Sequence, residues 1–575
     1  MTSIVATNIT SPLGLSTEEN YAAVRRGESG LKTMDGCLGV PGRFCLGIFS
    51  QEQKRSLHLE GFSWFESLVL HSVRDALSRC DVDPASPRTL LIVGTSTGGV
   101  EELGETPDKD GLFLAPPLAV KKVAQALGFV SEPLAVSNAC ISGATAQMLA
   151  DRLIASGAYD SALVCGADAL SAFVLAGFFS FKALSAAPCR PFDIERLGLN
   201  IGECAATMVL TRDDGSECWR LCDGCLNNDA YHVSAPIPSG DGVCRAIQKV
   251  LTPEVRESLA CVTAHGTATM FNDQMESKGI GNAGLCDIPV TAYKAHFGHT
   301  FGASGVVEAI ITMCSLDEGL VLPTLGFQEI GVSGKIQVCD TLLSTSKRAF
   351  IKTQSGFGSC NGALLYAKSV FSAQGSSHAP SSAQFAPVPA QYDLVKSLRI
   401  TPDGLWLDGE AVPAQERGAA LLSELFKARL ADGSRFFKMD LFSRLAYLGA
   451  GLLAKDALED CPAEDIALLF FTQNGSLLAD RKHLSTFSAP DAFYPSPAVF
   501  INTLPNIVLG EIALSQQIKG ETTLVMIPER DDSRIEAIAK ATTDATRPAA
   551  MIYGWVDCTE ETAFRAELKL IKIKK

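Results

Sequence analysis

With 575 residues, the chain is too long for one ordinary hydrophobic core, so we expect two or more domains. Hydrophobic residues make up 47% of it and charged residues 20%, which is typical of a globular protein. A net charge of −15 argues against a general nucleic-acid-binding protein. An acidic partner would need a local basic patch, such as Arg25 with Arg26 or Lys121 with Lys122, although a solvated face is the simpler explanation of each pair.

The 18 cysteines lie mostly in apolar or strand-like stretches. The N-terminus lacks a charged start followed by a long apolar run, and no stretch reaches the roughly 18 uncharged apolar residues of a membrane helix. These features predict a cytoplasmic protein with free thiols, without a signal peptide or a membrane span. One CxxC, Cys222 to Cys225, lacks a second CxxC or a histidine pair at zinc spacing, so no metal site is predicted.

Predicted strands and helices alternate along the first 370 residues. A short strand and a polar helix open the chain. Residues 62–80 follow with helical periodicity, and residues 90–99 form a predicted buried strand that ends in a glycine turn. The alternation continues to about residue 215 and then begins again, which is the pattern of layered α/β proteins.

The first part of the chain is organised around residues 135–168, AVSNACISGATAQMLADRLIASGAYDSALVCGAD. Cys140 falls where a predicted strand turns into a helix, among small residues that leave room for a substrate carbonyl. The helix dipole at such a position would stabilise a thiolate and lower the cysteine pKa. Taken alone, Cys140 is better explained as a structural cysteine in a packed turn, because most buried cysteines are structural.

Three later segments favour a catalytic role instead. HGTAT (residues 265–269), KAHFGHTFGASG (residues 294–305) and GFGSCNG (residues 356–362) each place polar residues on a glycine turn after a buried strand. Since α/β proteins build their sites from turns at strand ends, we expect these three turns to converge on Cys140. His296, inside the second segment, is expected to face solvent or to pack in the interior.

Together with NACISG around Cys140 and CRPFDIERLGLNIGECA at residues 189–205, these segments resemble five blocks of the β-ketoacyl-acyl-carrier-protein synthases, in the family's order. The resemblance covers about residues 1–370. It implies an α/β thiolase-like fold with layers in the order α-β-α-β-α.

The resemblance also implies a role for the polar residues in these blocks. Cys140 would be the nucleophile that accepts an acyl group from a carrier-protein thioester. His265 and His299 would promote decarboxylation of malonyl-carrier protein and stabilise the enolate that forms. Lys294 and Glu308 would form a charged pair that orients the two histidines.

The glycine turn after residue 355 would complete the site. By the same resemblance, Phe357 would gate the pocket, and its backbone N–H would form the oxyanion hole with that of Cys140. Thr267 and Thr269 would bind the pantetheine arm. The family's turn usually reads Phe-Gly-Phe-Gly-Gly-Thr, whereas residues 355–360 read SGFGSC. We expect this difference to affect the movement of Phe357, and hence pocket size and substrate choice, more than the chemistry.

Composition changes sharply at residues 372–391, SAQGSSHAPSSAQFAPVPAQ. Such a Ser/Ala/Pro-rich run predicts a linker. The predicted domains are therefore residues 1–371 and residues 392–575.

The second domain repeats the early part of the first. An apolar helix at residues 439–458, followed by a strand and a glycine turn, matches the helix at residues 62–80 and the strand after it. Counting by the repeat places Pro528 at the position of Cys140, and residues 462–557 contain no cysteine. The second copy therefore cannot be an independent catalyst of the same kind.

This cysteine-less copy is similar to the N-terminal half of a ketosynthase, which implies a truncated thiolase-like α/β half-domain. It resembles the small chain-length-factor subunits of aryl-polyene and flexirubin-type clusters. We expect it to dock on the first domain as the partner in an intramolecular pseudo-heterodimer and to shape the acyl tunnel, with further oligomerisation left open. The alternative is a degenerate duplication kept for stability.

The implied reaction is a decarboxylative Claisen condensation in fatty-acid or aryl-polyene-type polyketide biosynthesis. An acyl or polyenoyl thioester and malonyl-acyl-carrier protein would give a β-ketoacyl-acyl-carrier protein and carbon dioxide. The implied partners are acyl-carrier protein and its acyl and malonyl thioesters, and no cofactor is needed beyond the phosphopantetheine that the carrier brings.

Three alternatives remain. They are an ordinary fatty-acid ketosynthase with a structural appendage, a thiolase-like acyl transfer on coenzyme A, and a non-catalytic scaffold that binds acyl-carrier protein. The two histidines argue against a thiolase, which pairs its nucleophile with a second cysteine. The intact cysteine and histidines argue against a scaffold.

Overall fold

The computed structural model describes residues 1–104, 114–213, 215–368, 391–430, 435–488 and 493–574. The linker predicted at residues 372–391 lies outside the described residues, apart from Gln391.

Most strands and helices of the fold lie before residue 369. The strands there are β1 (Thr2–Thr10), β2 (Leu31–Cys37), β3 (Val40–Gly47), β4 (Thr89–Gly94), β5 (Leu134–Val136), β6 (Ser161–Asp168), β7 (Cys204–Arg212), β8 (Trp219–Asn228), β9 (Leu259–Thr263), β10 (Pro289–Thr291), β11 (Leu320–Val321), β12 (Gln337–Val338), β13 (Leu343–Ser344), β14 (Ala349–Gly356) and β15 (Cys360–Ala367). The helices there are α1 (Thr17–Arg25), α2 (Gln51–Leu57), α3 (Trp64–Leu77), α4 (Pro116–Ala126), α5 (Ser142–Ala155), α6 (Ala172–Ser180), α7 (Asp241–Val250), α8 (Pro253–Ser258), α9 (Met270–Asn282), α10 (Lys294–Phe297) and α11 (Ser304–Asp317).

The chain after residue 390 adds a smaller set. Its strands are β16 (Tyr392–Thr401), β17 (Gly404–Leu407), β18 (Glu410–Val412), β19 (Ile466–Thr472), β20 (Thr522–Met526), β21 (Ala550–Glu560) and β22 (Ala563–Ile573). Its helices are α12 (Gly418–Arg429), α13 (Leu441–Ala454), α14 (Leu477–Ser485), α15 (Pro497–Phe500), α16 (Ile507–Gln516) and α17 (Asp532–Thr546).

Strong local signals set the predicted elements. The helix predicted at residues 62–80 is α3, which begins after Ser63 because Ser63 and Glu66 form a capping box. The strand predicted at residues 90–99 is β4, whose apolar residues are all buried, as is typical of a parallel strand covered on both faces.

One order of five strands occurs three times. It is β5-β4-β6-β7-β1 in the first repeat, β10-β9-β14-β15-β8 in the second and β20-β19-β21-β22-β16 in the third. In each repeat the first three strands are parallel and the last two are antiparallel to their neighbours. The first and second repeats together make one thiolase-like unit, and the third repeat is half of such a unit.

Helices and sheets alternate in the five layers that the family resemblance implies. On one outer face, α3 packs on β1, β6 and β7, and on the other α7 packs on β8, β14 and β15. Between the two sheets lie α5 and α11, which pack against each other. Almost every residue of α5 is buried, as expected for a helix covered on all sides. The predicted thiolase-like α/β fold is therefore confirmed.

The third repeat joins the first edge to edge. The short strands β5 and β20 pair antiparallel, with Val136 opposite Val525. This pairing continues one sheet from the first repeat into the third and leaves neither of the two edges open.

The same turn occurs in the first and third repeats and shows which of their residues correspond. Asp168, at the end of β6, accepts a hydrogen bond from Thr95 Oγ1 at 2.8 Å, and Asp557 in β21 accepts one from Thr472 Oγ1 at 2.7 Å. Both carboxylates also accept from backbone N–H groups of the turn that follows the threonine. Val136 and Val525 are separated along the chain by the same number of residues as the two aspartates. A pseudo-twofold axis therefore passes through the Val136–Val525 pair.

The hydrophobic core runs through both parts of the chain. One continuous cluster contains Leu68 of α3 and Leu448 of α13, and another contains Ile141, directly before α5, and Phe471 of β19. The two parts thus share a core and do not merely touch at a surface.

Within the described parts of the chain, no single helix has the length and apolar composition of a membrane span; the bent pair Pro497–Thr503 and Ile507–Gln516, at 99°, meets those two criteria only when its helices are taken together.

Candidate active site

The turn that carries Cys140 is held between β5 and α5. Ala139 has a left-handed backbone with a φ of 47°, which turns the chain sharply at the cysteine. Its carbonyl accepts hydrogen bonds from Ser142 Oγ at 2.6 Å and from Ser96 Oγ at 3.2 Å. Cys140 therefore lies in the predicted strand-to-helix turn, just before α5 begins.

A histidine lies directly beside the sulfur. The Nε2 atom of His299 is 3.0 Å from Cys140 Sγ, and its Nδ1 atom is 3.1 Å from Ser304 Oγ. The ring of His265 lies 5.1 Å from that of His299, centroid to centroid, at an angle of 86°. The structure thus brings Cys140, His265 and His299 together from three separate turns.

A buried charged cluster lies next to the two histidines. The Lys294 ammonium is 2.7 Å from Glu308 Oε1 and 3.2 Å from His265 Nδ1. The other oxygen of Glu308 pairs with Lys352 Nζ, also at 2.7 Å. Sequence reasoning missed Lys352, which also donates to the Ala264 carbonyl at 3.1 Å, directly before His265. Its signal was a lysine inside the otherwise apolar start of a strand, AFIKT.

The pKa of the Cys140 thiol differs from the prediction. Burial raises this pKa to about 12, and the Lys294 ammonium and the backbone N–H groups of Phe357 and Cys140, which reach the sulfur, offset the effect only in part. The lowered pKa expected from the helix dipole is therefore wrong for the resting protein, because the loss of water around the sulfur outweighs these favourable contacts. The thiol needs a base to take its proton, and His299 is in contact with it.

Both histidines of the site are neutral at neutral pH. Burial, reinforced by the charge of Lys294, holds the pKa values of His265 and His299 well below the usual range. Because the ammonium of Lys294 can only donate, the proton of His265 sits on Nε2. The hydroxyl of Ser304 can donate to or accept from Nδ1 of His299, so Nε2 of His299 can offer either a lone pair or an N–H.

A cavity of about 260 Å³ connects these side chains with the surface. Phe271, whose side chain is 79% exposed, marks its mouth. Thr267 and Thr269 also line it, with their hydroxyl oxygens 3.0 Å apart. Both threonines are therefore placed between the surface and Cys140, along the route that a substrate would take.

The ring of Phe357 stands between two spaces beside Cys140. It faces Phe178 at 6.1 Å and Phe181 at 5.6 Å between ring centroids. Both Phe357 and Cys140 line the cavity to the surface and also a small inner cavity of about 10 Å³, to which Phe500 contributes. A group that enters from the surface must pass Phe357 to reach the inner space.

Ser355 and Ser359, which set the turn at residues 355–360 apart from the family's usual sequence, each make side-chain hydrogen bonds. Ser355 Oγ donates to Asn361 Oδ1 at 2.8 Å. Ser359 has a φ of 62°, which is uncommon for a residue with a side chain, and its hydroxyl donates to the His232 carbonyl at 2.6 Å. The His232 N–H donates back to that hydroxyl at 3.1 Å. The serines therefore tie the turn to its neighbours.

The remaining histidine of this region is a packing residue. His296 is buried, and its Nδ1 atom is 2.6 Å from the Glu28 carbonyl oxygen. Burial lowers its pKa to about 4. Of the two predicted placements, packing is therefore the one observed.

The candidate basic patches are paired with acids. The contacts are Arg25 with Glu318, Arg26 with Glu28, Lys121 with Glu132, and Lys122 with Glu66. None of the four basic residues lines the cavity to Cys140.

No metal site is evident in the part of the chain that the structure describes, where no three His, Cys, Asp or Glu side chains are grouped to hold an ion. Cys222 and Cys225 of β8 pack against a hydrophobic cluster.

The third repeat also reaches the site, which sequence reasoning did not anticipate in detail. Asn506 donates from Nδ2 to the Phe357 carbonyl at 2.8 Å, and Phe500 lines the inner cavity. Nothing local in the sequence marks these two residues, because their position depends on how the repeats pack.

A cysteine on a strand-to-helix turn, with two neutral histidines from later turns of a thiolase-like fold, defines an acyltransferase of the ketosynthase class.

Comparison with known proteins gives the family. The model for the β-ketoacyl synthase N-terminal domain matches residues 52–215, and that for the C-terminal domain matches residues 221–328. The 3-oxoacyl-[acyl-carrier-protein] synthase 2 of Mycobacterium leprae is 30% identical over 322 residues, which are 48% of this chain and 74% of the relative. The synthase of the same name from Vibrio cholerae is 29% identical over 399 residues, which are 62% of this chain and 96% of the relative. The chain therefore belongs to the β-ketoacyl synthase family.

Two solved structures extend the comparison. The ketosynthase ApeO in complex with its chain length factor ApeC, from Xenorhabdus doucetiae, matches with a TM-score of 0.53 and 25% identity over 64% of this chain and 97% of that chain. The PfaC keto synthase-chain length factor matches with a TM-score of 0.77 and 14% identity over 100% of this chain and 78% of that chain. The second likeness extends the shared fold to the third repeat.

Proposed function

We propose that the protein catalyses a decarboxylative Claisen condensation between an acyl thioester and malonyl-acyl-carrier protein. The observation that carries this proposal is the 3.0 Å contact between Cys140 Sγ and His299 Nε2, with the His265 ring 5.1 Å from that of His299. The names of the relatives from Mycobacterium leprae and Vibrio cholerae, both 3-oxoacyl-[acyl-carrier-protein] synthases, support it.

The first step loads the acyl group. The sulfur of Cys140 attacks the thioester carbon while the thiol proton passes to Nε2 of His299. The backbone N–H groups of Cys140 and Phe357 stabilise the negative oxygen that forms. The bond to the carrier sulfur then breaks, and the carrier leaves as a thiol with the proton that His299 held.

The second step forms the new carbon–carbon bond. The malonyl thioester loses carbon dioxide, and the electron pair moves into an enolate whose oxygen accepts from the Nε2–H of His265. It also accepts from Nε2–H of His299 once that ring has returned to the tautomer in which the Ser304 hydroxyl donates to Nδ1. The enolate carbon attacks the acyl group on Cys140. The bond to the Cys140 sulfur breaks, the β-ketoacyl chain remains on the carrier, and the cysteine thiolate takes a proton from water.

Substrates and partners follow from this reaction. Acyl-carrier protein would present both thioesters, with Thr267 and Thr269 along the pantetheine arm, and the phosphopantetheine of the carrier would be the only prosthetic group required. Fatty-acid or polyketide biosynthesis is the proposed setting, with a polyenoyl chain of aryl-polyene type as the finer expectation.

A trapping experiment tests the reaction. After incubation with an acyl-acyl-carrier protein, peptide mapping by mass spectrometry should place the acyl group on Cys140. Cys140→Ala should abolish both the adduct and the condensation. Cys360→Ala is the matched control, because Cys360 lines the same cavity and should not be needed.

Two outcomes would contradict this proposal. Binding of the carrier protein without an adduct on wild-type Cys140 would favour the scaffold. Equal loading from acyl-coenzyme A, with loss of activity in Cys360→Ala and no decarboxylation of malonyl-carrier protein, would favour thiolase-like transfer.

We further propose that the second domain, residues 392–575, acts as a chain-length factor inside the same chain, as the partner in a pseudo-heterodimer. Phe500 and Leu504 of this part line the inner cavity with Cys140 and Phe357. An acyl chain that extends from Cys140 past Phe357 would meet these two side chains, which would limit its length. The chain length factors named in the two similar structures support this role.

Product length tests the role of the third repeat. Phe500→Ala should enlarge the inner cavity and shift the product distribution to longer chains. Phe487→Ala is the matched control, because Phe487 belongs to the same aromatic cluster but does not line that cavity. Unchanged product lengths in Phe500→Ala, with wild-type activity, would favour a duplication kept for stability.

A further inference from the structure

The third repeat packs directly on the backbone of the turn that carries Phe357. Asn506, immediately before α16, donates to the Phe357 carbonyl at 2.8 Å. One turn further along α16, a Cβ atom at Gly510 would lie 2.6 Å from the Gly358 carbonyl oxygen. Because Gly510 has no side chain, α16 can come this close to the turn.

Other contacts hold the neighbouring residue. The Gly358 N–H donates to the Val233 carbonyl at 2.7 Å, and Asn228 Nδ2 donates to the Gly358 carbonyl at 2.8 Å. Asn506 acts on the Phe357 carbonyl itself, which the Cys360 thiol also approaches at 3.3 Å. The Val233 carbonyl, the Asn228 amide and the Cys360 thiol all belong to the part of the chain before residue 369. Of the four groups, only the Asn506 amide comes from the third repeat.

This contact matters because of where the Phe357 ring stands. Phe357 and Cys140 line both the cavity to the surface and the inner cavity. An acyl chain that is bonded to Cys140 and extends towards Phe500 must displace the ring. A shift of the Phe357 backbone would break the hydrogen bond from Asn506.

The side chain of Asn506 also has a free acceptor that could bind the Phe357 turn in a second, shifted arrangement. Its Oδ1 atom is buried and has no hydrogen-bond partner among the described residues. A buried acceptor without a partner costs free energy, and a backbone N–H of the shifted turn could satisfy it. The amide thus has one group engaged with the closed turn and one available to an open turn.

We propose that Asn506 is a positioning residue that latches the Phe357 turn closed, so that the third repeat controls access of the acyl chain to the inner cavity. This inference rests on the proposed function. It gives the third repeat a role in the rate of acyl loading, in addition to any role in product length.

The test replaces the donor without changing the shape of the side chain. In Asn506→Asp, an oxygen faces the Phe357 carbonyl, so the latch is lost. Acyl loading of Cys140 from a long-chain acyl-carrier protein should become about two- to tenfold faster, which is the effect expected from one buried hydrogen bond. Decarboxylation of malonyl-carrier protein, which does not need the inner cavity, should keep its wild-type rate. Asn506→Ala removes the side-chain donor without adding a charge and should act in the same direction.

Asn502→Asp is the matched control, because Asn502 lies one turn earlier and donates to the Ala498 carbonyl, away from the site. Equal loading rates in the Asn506 and Asn502 variants would overturn the proposal, as would a parallel loss of loading, decarboxylation and melting temperature in both Asn506 variants.

A second readout separates the latch from the proposed reaction. Alkylation of Cys140 by a pantetheine amide of a long-chain 2-bromoalkanoic acid, mapped by mass spectrometry, needs no acyl transfer. With the pantetheine arm in the cavity to the surface, its alkyl chain has to pass Phe357. Faster alkylation in Asn506→Asp supports the latch even if wild-type protein accepts no acyl group, which would count against the proposed function alone. Unchanged alkylation would overturn the latch.

Discussion

Two lysines share one buried carboxylate beside the histidines. Glu308 uses one oxygen for Lys294 and the other for Lys352. Through Lys294 this cluster fixes which nitrogen of His265 carries the proton, and through Lys352 it holds the strand end that precedes His265. The orientation of the His265 N–H, which we propose as a donor to the enolate, therefore depends on charged side chains that do not line the cavity.

Lys352→Met tests this cluster. The substitution leaves Glu308 with one cationic partner and removes the donor to the Ala264 carbonyl. Breaking a buried ion pair from one side costs about 3–5 kcal/mol, so the free energy of unfolding in urea should fall by about that amount. The control Lys368→Met removes a pair with Asp317 near the surface and should change stability by less than about 1 kcal/mol. Equal effects of the two variants would contradict the role assigned to Lys352.

Residue patterns predicted that the turns carrying Cys140, His265 and His299 converge, and the resemblance to the ketosynthase blocks singled out these three residues. They could not predict the pKa of Cys140. That value depends on burial by residues that are far away in sequence, such as Phe301 and Phe500, which line the inner cavity with it.

At the scale of elements, the repeats were predictable but their alignment was not. The sequence count placed Pro528 at the position of Cys140 because it matched Gly166 with Gly554. The contacts of Asp168 and Asp557 place Glu529 there instead. Glu529 is exposed, so the third repeat has neither the cysteine nor the burial that surrounds it in the first.

Glycines explain how the first repeat accepts the second, and the third repeat has larger side chains at the corresponding positions. A Cβ atom at Gly143 or Gly166 would lie 2.3 Å or 2.6 Å from the Gly302 carbonyl, so the turn before α11 needs both glycines. The corresponding positions of the third repeat hold Asp532 and Trp555, which line a groove of about 600 Å³. Side chains thus occupy the place where another half-unit would pack.

At the scale of the whole molecule, an ion pair crosses between the first and third repeats. Arg152 of α5 and Glu521, directly before β20, form two parallel contacts of 2.7 Å, and both side chains are buried. Such a bidentate pair specifies how the repeats are oriented as well as contributing to stability.

Glu521→Gln should lower the stability of the whole chain, because it leaves the Arg152 charge buried without its partner. We expect the free energy of unfolding to fall by about 3 kcal/mol in a single transition, since the repeats share their core. Glu132→Gln, which removes the exposed partner of Lys121, is the control and should change stability by less than about 1 kcal/mol. Early unfolding of one part of the chain in Glu521→Gln, with the other part unaffected, would contradict a shared core.

The sequence predicted two related parts but could not show how closely they join. Their mutual arrangement depends on long-range contacts such as Val136 with Val525, in strands of three and five residues that carry little signal of their own. Only the packed structure places these strands side by side.

The pseudo-twofold axis at Val136 and Val525 affects which substitutions this molecule can accept during evolution. In a symmetric dimer of identical chains, every substitution near the axis occurs twice, and a residue must remain compatible with its own image. Here the two sides of the axis are encoded separately. A charge on one side can acquire its complement on the other, as with Arg152 and Glu521, and a single new side chain beside the reaction chamber can alter one face while the opposite face keeps its shape.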